Sequence, residues 1–237
     1  MDLRPDERPA ESPLIERIWS SRNEQPGDFT SIAVNFAELV VTKRNGTLRI
    51  TIRGPETKAT PAYVPDDAAH MGIIFKLGTF MPNFPTYSLV DGTIDLPQAA
   101  SQSFWLNGSA WEAPTFDNAD TFVNRLVHEG LLVHEPVVNA VLKGEIGDLS
   151  VRSIQRRFLQ ATGLTYSTVR QIERARHATV LLKQGISILD TVFEAGYFDQ
   201  SHLTRSLKQY IGQTPAQIMD EGREVRLSFL YNTPAGR

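Results

Sequence analysis

Ser150–Gly163 reads SVRSIQRRFLQATG and Gly196–Gly212 reads GYFDQSHLTRSLKQYIG, and the two segments share one pattern. Each starts near a polar residue able to cap a helix, continues with apolar residues at helical spacing, carries Arg and Gln on the other face, and closes on a glycine. In the first, Val151, Ile154, Phe158 and Ala161 recur every three or four residues and so share a helix face, while Arg152, Gln155 and Arg156 point elsewhere. Ser150 is the expected N-cap and Gly163 the expected stop. In the second, Leu203, Leu207 and Tyr210 form the stripe to be buried, which leaves Gln200, Ser201, Thr204, Arg205 and Lys208 to solvent or to a partner, and Gly212 ends the helix.

Arg, Gln, Ser and Thr are the side chains that read base edges and hold phosphates, Arg pairing bidentately with guanine and Gln with adenine. One such helix alone reads as an ordinary solvated amphipathic face. Two of them, each preceded by a small-residue turn, point to a nucleic-acid partner. Between them, Tyr166 to Lys183 keeps a helical stripe of Val169, Ile172, Ala175, Ala178 and Leu182, and Gly185 ends it. Ser187 is placed to cap a short helix through Ile188, Leu189, Val192 and Phe193, Gly196 to make a turn, and Asp199 or Gln200 to open the next helix. Upstream of Ser150 the pattern is broken, because Gly144 and Gly147 interrupt VVNAVLKGEIGDL.

The run AGYFDQSHLTRSLKQYIGQTPAQI from Ala195 to Ile218 resembles the second helix-turn-helix of AraC/XylS-type transcription regulators. LSVRSIQRRFLQATGLT from Leu149 to Thr165 resembles the recognition helix of the first helix-turn-helix in that family. The resemblance covers about seventy residues and the order of the parts agrees. It implies a seven-helix DNA-binding domain in which one polypeptide presents two recognition helices to adjacent major-groove segments. The residues carried over as DNA contacts are Arg152, Gln155 and Arg156 in the first helix and Gln200, Ser201, Thr204 and Arg205 in the second. The partners it implies are duplex DNA at a promoter or operator, a small-molecule effector, RNA polymerase for an activator, and a second copy in a homodimer.

Charge is distributed accordingly. Residues 1–134 carry 11 Lys and Arg against 17 Asp and Glu, whereas residues 149–219 carry 9 against 4, so the positive charge lies where DNA is expected to bind. The absence of cysteine removes disulfides, thiol catalysis and thiolate zinc sites together. No apolar run is long enough to span a membrane, and the N-terminus MDLRPDERPAESP reads as neither a secretion signal nor a lipidation motif. The expectation is a cytoplasmic protein with no membrane partner.

The N-terminal part has a different period. Pro13 to Ser20 reads as a short helix, with Leu14, Ile15, Ile18 and Trp19 as its apolar side. Phe29 to Phe36, Glu38 to Lys43 and Thr47 to Arg53 read as strands, and Arg44, Asn45 and Gly46 supply a hairpin turn. Ala69 to Leu77 is apolar enough for an interior strand, and Thr79 to Pro97 holds loops and short strands. Many short strands with Gly and Pro turns suggest a small barrel or sandwich, and the family resemblance implies a cupin-like sensor. Asp117 to Glu129 returns to helix, capped by Asn118 and stopped by Gly130, and Glu135-Pro136 starts the next.

The expected fold is therefore α+β: a small β-barrel or sandwich sensor and dimerisation domain over 1–130, an all-α double helix-turn-helix domain over 135–222, and a tail over 223–237. The expected function is sequence-specific DNA binding by a transcription regulator that a small-molecule effector modulates. Two other classes stay open: a helical protein-interaction module that does not read DNA, and a cupin-type enzyme in the N-terminal domain. The second is the weaker, since His70 stands alone in the strand region and no GxSxG, HExxH or phosphate loop occurs. No catalytic residue, metal ligand or cofactor is expected. Trp105, Trp111, Phe75, Phe80, Phe84 and Tyr87 suit a ligand pocket by type but read better as core, so no ligand residue is assigned.

Overall fold

The computed structural model describes residues 6–145, 147 and 149–220; the expected tail over 223–237 lies outside them. Strands β1 (Asp6–Arg8), β2 (Ile15–Asn23), β3 (Gly27–Ser31), β4 (Glu38–Arg44), β5 (Thr47–Arg53), β6 (Thr60–Val64), β7 (Ala68–Phe75) and β8 (Thr79–Phe80) come first, then a 3-10 turn at Thr86–Leu89. β9 (Thr93–Leu96), β10 (Gln98–Ala100), β11 (Ser103–Leu106), β12 (Ser109–Glu112), α1 (Ala119–His128) and β13 (Val133–His134) follow. The rest is helical: α2 (Pro136–Lys143), α3 (Val151–Thr162), α4 (Tyr166–Lys183), α5 (Ile188–Glu194), α6 (Gln200–Tyr210) and α7 (Pro215–Met219). A sheet-rich N-terminal region followed by helices meets the α+β expectation.

Contacts divide the chain into two compact units. The first comprises Met1–Pro26, Phe36–Pro55 and Pro65–Tyr166; the second comprises Gly27–Asn35, Glu56–Val64 and Ser167–Arg237. This partition follows different lines from the sequence boundary at 130–135, because α2 and α3 fall in the first unit while β3 and β6 fall in the second.

The first unit is built on a six-stranded sheet in the order β1-β2-β7-β4-β5-β9. Its two ends do not pair, so the sheet is open and the sandwich rather than the closed barrel is what forms. Leu48, Ile50 and Ile52 are buried in β5 while Thr47 and Arg49 are exposed and Thr51 half-buried, the alternation of a half-buried strand. Asn45 and Gly46 at φ 50° and 74° join β4 to β5, so the Asn-Gly step makes the expected tight hairpin turn. On the core face the sheet packs against Phe104, Leu106 and Trp111 of the β11–β12 hairpin and against Phe122, Val123 and Leu126 of α1. Trp111 and Phe75 are core, whereas Trp105 and Tyr87 are exposed and line no interior.

Pro13 to Ser20 corrects one expectation. It is no helix: β2 occupies Ile15–Asn23 and pairs with β7 along its length, with a register irregularity between Ile15 and Arg17. The extra residue of that bulge lets Ile15 and Ile18 both reach the core although they stand three apart. A bulged strand therefore imitates helical spacing. The strand expected over Phe29 to Phe36 is shorter and starts earlier, at Gly27–Ser31, and beyond it only Val34 makes an isolated bridge, to Glu56. Asn118 occupies the N-cap position of α1 without a capping bond; its Oδ1 accepts from the Thr115 backbone N–H at 2.7 Å instead.

In the second unit β3 and β6 pair as an antiparallel ribbon, and residues flanking it hold the end of α6. Backbone N–H groups of Ala59 and Ala33 donate to the carbonyls of Gln209 and Tyr210 at 2.7 and 2.8 Å, carbonyls a helix end leaves without an intrahelical partner. Gly212, at φ 82°, brings the chain against Thr30 and Ala59, where a Cβ would stand 3.1–3.2 Å from their side chains.

Candidate nucleic-acid interface

Each half of the helical region is built from capped helices. Ser150 Oγ accepts from the Ser153 N–H at 3.2 Å to start α3, and Gly163 closes it in the left-handed region at φ 71°. Gly163 also lies against the 3-10 turn, where a Cβ would come within 2.9 Å of the Thr86 carbonyl oxygen. Asp199 Oδ1 accepts from the His202 N–H at 2.6 Å and starts α6. Ser187 Oγ accepts from the Asp190 N–H at 3.1 Å and starts α5, and Thr214 with Gln217 forms a reciprocal capping box on α7.

α3 buries Ile154, Phe158 and Ala161 and exposes Arg152, Gln155 and Arg156, which stand at i, i+3 and i+4 on one outward face. The third arginine of the run differs. Arg157 reaches back to Glu135, its Nη2 and Nε donating to Oε1 and Oε2 at 2.7 and 3.0 Å, and so ties α3 to the start of α2. Glu135 also caps α2 through the Val137 N–H at 3.1 Å. Burial pushes the Glu135 carboxyl up, but the Arg157 fork and the Val137 N–H outweigh it and hold its pKa below the ordinary value.

The seven-helix arrangement implied by the resemblance is not reached among the described residues, where α2 to α7 make six helices. Gly144, at φ 75°, stops α2, and Glu145, Gly147, Leu149 and Ser150 are not helical. The glycine interruption read from the sequence therefore coincides with a stretch whose described residues form no helix before α3.

α6 buries Leu203, Ser206, Leu207 and Tyr210 and exposes Gln200, Ser201 and Arg205; Thr204 is half-buried, less open than its residue type suggested. The turn before it is fixed from α4. Arg174 lies over the Tyr197 ring at 4.5 Å and its Nη1 donates to the Gly196 carbonyl at 3.3 Å. Tyr197 turns inward, its hydroxyl 2.9 Å from Ser206 Oγ and its ring edge-on to His202, and burial pushes its phenol pKa up. Tyr210 donates to Gln171 Oε1 at 2.7 Å, which joins the far end of α6 to α4 as well. Sequence reasoning missed the part played by Arg174, because a helix-to-turn clamp across twenty-two residues leaves no local pattern.

The seven residues picked from the sequence thus form two separate faces. Arg152, Gln155 and Arg156 share a face in the first unit; Gln200, Ser201, Thr204 and Arg205 share one in the second. Among the described residues no group of three His, Cys, Asp or Glu is arranged to hold a metal ion. His70 packs instead, its Nδ1 3.0 Å from Thr42 Oγ1, and burial lowers its pKa. Among the described residues no helix is long and apolar enough to cross a membrane.

In sequence, the helical part of the chain is similar to known helix-turn-helix proteins. Residues 146–221 match the model of a helix-turn-helix domain family. The chain is 34% identical over 88 residues to the HTH-type transcriptional regulator RipA of Corynebacterium glutamicum, covering 36% of this chain and 27% of that protein. It is 33% identical over 74 residues to RipA of Corynebacterium diphtheriae, covering 31% of this chain and 22% of the relative. The matched part thus spans about a quarter of the length of these relatives. A crystal structure of an apo ToxT variant from Vibrio cholerae aligns with 90% of this chain and 98% of its own, at a TM-score of 0.40 and 7% identity.

Proposed function

We propose that this protein is a sequence-specific DNA-binding transcription regulator of AraC/XylS type whose DNA-binding domain extends over 135–222, a reading supported by the match of residues 146–221 to a helix-turn-helix domain family and by the similarity to HTH-type regulators. The observation that carries the reading is the pair of helices α3 and α6. Each is capped at its start, anchored by a buried stripe, and open on a face of Arg, Gln, Ser or Thr. In this reading Arg152, Gln155 and Arg156 contact bases or phosphates from α3, and Gln200, Ser201, Thr204 and Arg205 do so from α6. Ile154, Phe158, Leu203, Leu207 and Tyr210 hold the helices in place and do not touch DNA.

The N-terminal sandwich senses an effector in the same reading. Its support is that Ala33 and Ala59, which lie in the N-terminal part of the sequence and flank the β3–β6 ribbon, donate their N–H groups to the last carbonyls of α6. A change in that ribbon would be felt at a recognition helix. Duplex DNA, a small-molecule effector, RNA polymerase for an activator and a second copy of the chain are the partners proposed. No catalytic activity is assigned, and the cytoplasm is the proposed location.

Selection from a random duplex pool on the full chain tests the reading. Enrichment of two short boxes roughly one helical turn apart is the expected result if both helices read DNA from one chain. One box only would remove Arg152, Gln155 and Arg156 from base reading. A protein-interaction module is the second reading, favoured by the glycine interruption at Gly144 that stops α2 ahead of α3, and no enrichment at any salt would select it.

A further inference from the structure

We infer that Phe198 reads the 5-methyl group of a thymine at the site bound by α6, an inference that rests on the DNA-binding reading above. A single exposed apolar side chain is ordinary on a protein surface. Phe198 is set apart by its position. It is 91% exposed and directly precedes Asp199, the residue that caps α6, so it flanks the first turn that carries Gln200 and Ser201. The N-terminal residues of a recognition helix are the ones that meet base edges in a major groove.

The usual structural task of an apolar residue at this place is unused. A hydrophobic residue before the cap commonly staples onto the fourth residue of the helix, which here is Leu203. Leu203 is fully buried and Phe198 stands almost wholly in water, so the staple is not made. The neighbouring aromatic does the packing instead: Tyr197 is buried under Arg174 and bonded to Ser206. Of the adjacent pair, one ring fixes the turn and the other projects from it.

Among the groups a duplex presents in the major groove, the thymine 5-methyl is the one that favours an apolar side chain. The polar neighbours Gln200, Ser201 and Arg205 supply hydrogen bonds to adjacent bases or phosphates but cannot report a methyl. Phe198 would add that readout at one position. Phe193, on α5, is 87% exposed as well, but it lies on the helix before the turn and so serves as a control.

The test uses the full chain and its selected duplex, with each thymine replaced in turn by deoxyuridine, which removes only the methyl. The expected result is a loss of about fourfold in affinity at one thymine for the parent, the scale of one buried methyl group. Phe198→Ala should bind the thymine and deoxyuridine duplexes equally, Phe198→Leu should keep part of the difference, and Phe193→Ala should keep all of it. A parent that binds but ignores every replacement would overturn the inference while leaving the DNA reading intact. So would a Phe198→Ala variant that keeps the fourfold difference, or one that weakens both duplexes alike and thereby marks a sugar or backbone contact. Absence of duplex binding by the parent would overturn the DNA reading and this inference together.

Discussion

Gly163 and Arg205 illustrate two kinds of residue on which the proposed DNA reading depends. Gly163 is held by its backbone: φ of 71° and the nearby Thr86 carbonyl leave no room for a side chain. Gly163→Ala is expected to lower stability by about 1–2 kcal/mol from the left-handed conformation alone, with the steric contact adding to it, and a urea midpoint measures this. Arg205 is exposed on α6. Arg205→Ala should leave the melting temperature unchanged and weaken specific binding by about 1–3 kcal/mol if its guanidinium reads a guanine, which titration on the selected duplex measures. Equal affinity would take Arg205 off the contact surface. Both residues were legible in the sequence, the glycine from its place after a helical stripe and the arginine from its place opposite one. Arg157 shows the limit of that logic. It stands in the same Arg-rich run as Arg152 and Arg156, yet its side chain is spent on Glu135, twenty-two residues away, and no local spacing reveals that.

At the scale of elements, two attachments hold the recognition helices. Arg157 and Glu135 join α3 to α2, and the Glu135 pKa is depressed relative to the unfolded chain. A depressed carboxyl pKa means that the folded state favours the ionised form, so this contribution is complete above the ordinary glutamate pKa and is lost as pH falls through the lower folded value. Glu135→Gln should therefore be less stable than the parent at neutral pH, and the gap should close on acidification through the carboxylate range. A gap independent of pH in thermal melts would count against the ion pair. α6 is attached at its far end by the ribbon. Replacing Ala59 by Pro removes the N–H that meets the Gln209 carbonyl and is expected to cost about 1–3 kcal/mol, read from chemical denaturation. The helices α3 to α6 were readable almost to the residue because caps, stripes and glycine stops act locally. β2 was misread because its bulge mimics a spacing of three, and the ribbon's role was hidden because β3 and β6 meet α6 only through the tertiary fold.

For the whole molecule, the charge asymmetry and the division into units carry the account. The segment with 9 Lys and Arg against 4 Asp and Glu includes both α3 and α6, so in the proposed function association with duplex releases counterions. The contact partition assigns α3 to one unit and α6 to the other, and hands two N-terminal stretches, Gly27–Asn35 and Glu56–Val64, to the unit that contains α6. Sequence order alone suggested one boundary near 130–135, whereas the contact partition takes two earlier stretches into the unit that contains α6, because pairing of distant strands is set by the fold and not by neighbours along the sequence. The α+β class and the helices α3 to α6 were accessible from periodicity and residue type, and the helix-turn-helix reading came from the family resemblance; the contact partition was not accessible.

The most direct test of the central claim is the salt dependence of binding between the full chain and its selected duplex. A DNA reader is expected to bind that duplex well above unrelated duplex at moderate salt, with the logarithm of affinity falling linearly and steeply as the logarithm of salt concentration rises. Arg156→Ala or Arg205→Ala should reduce the preference or the slope. Affinity that does not vary with salt, or no preference over unrelated duplex at any salt, would contradict the account.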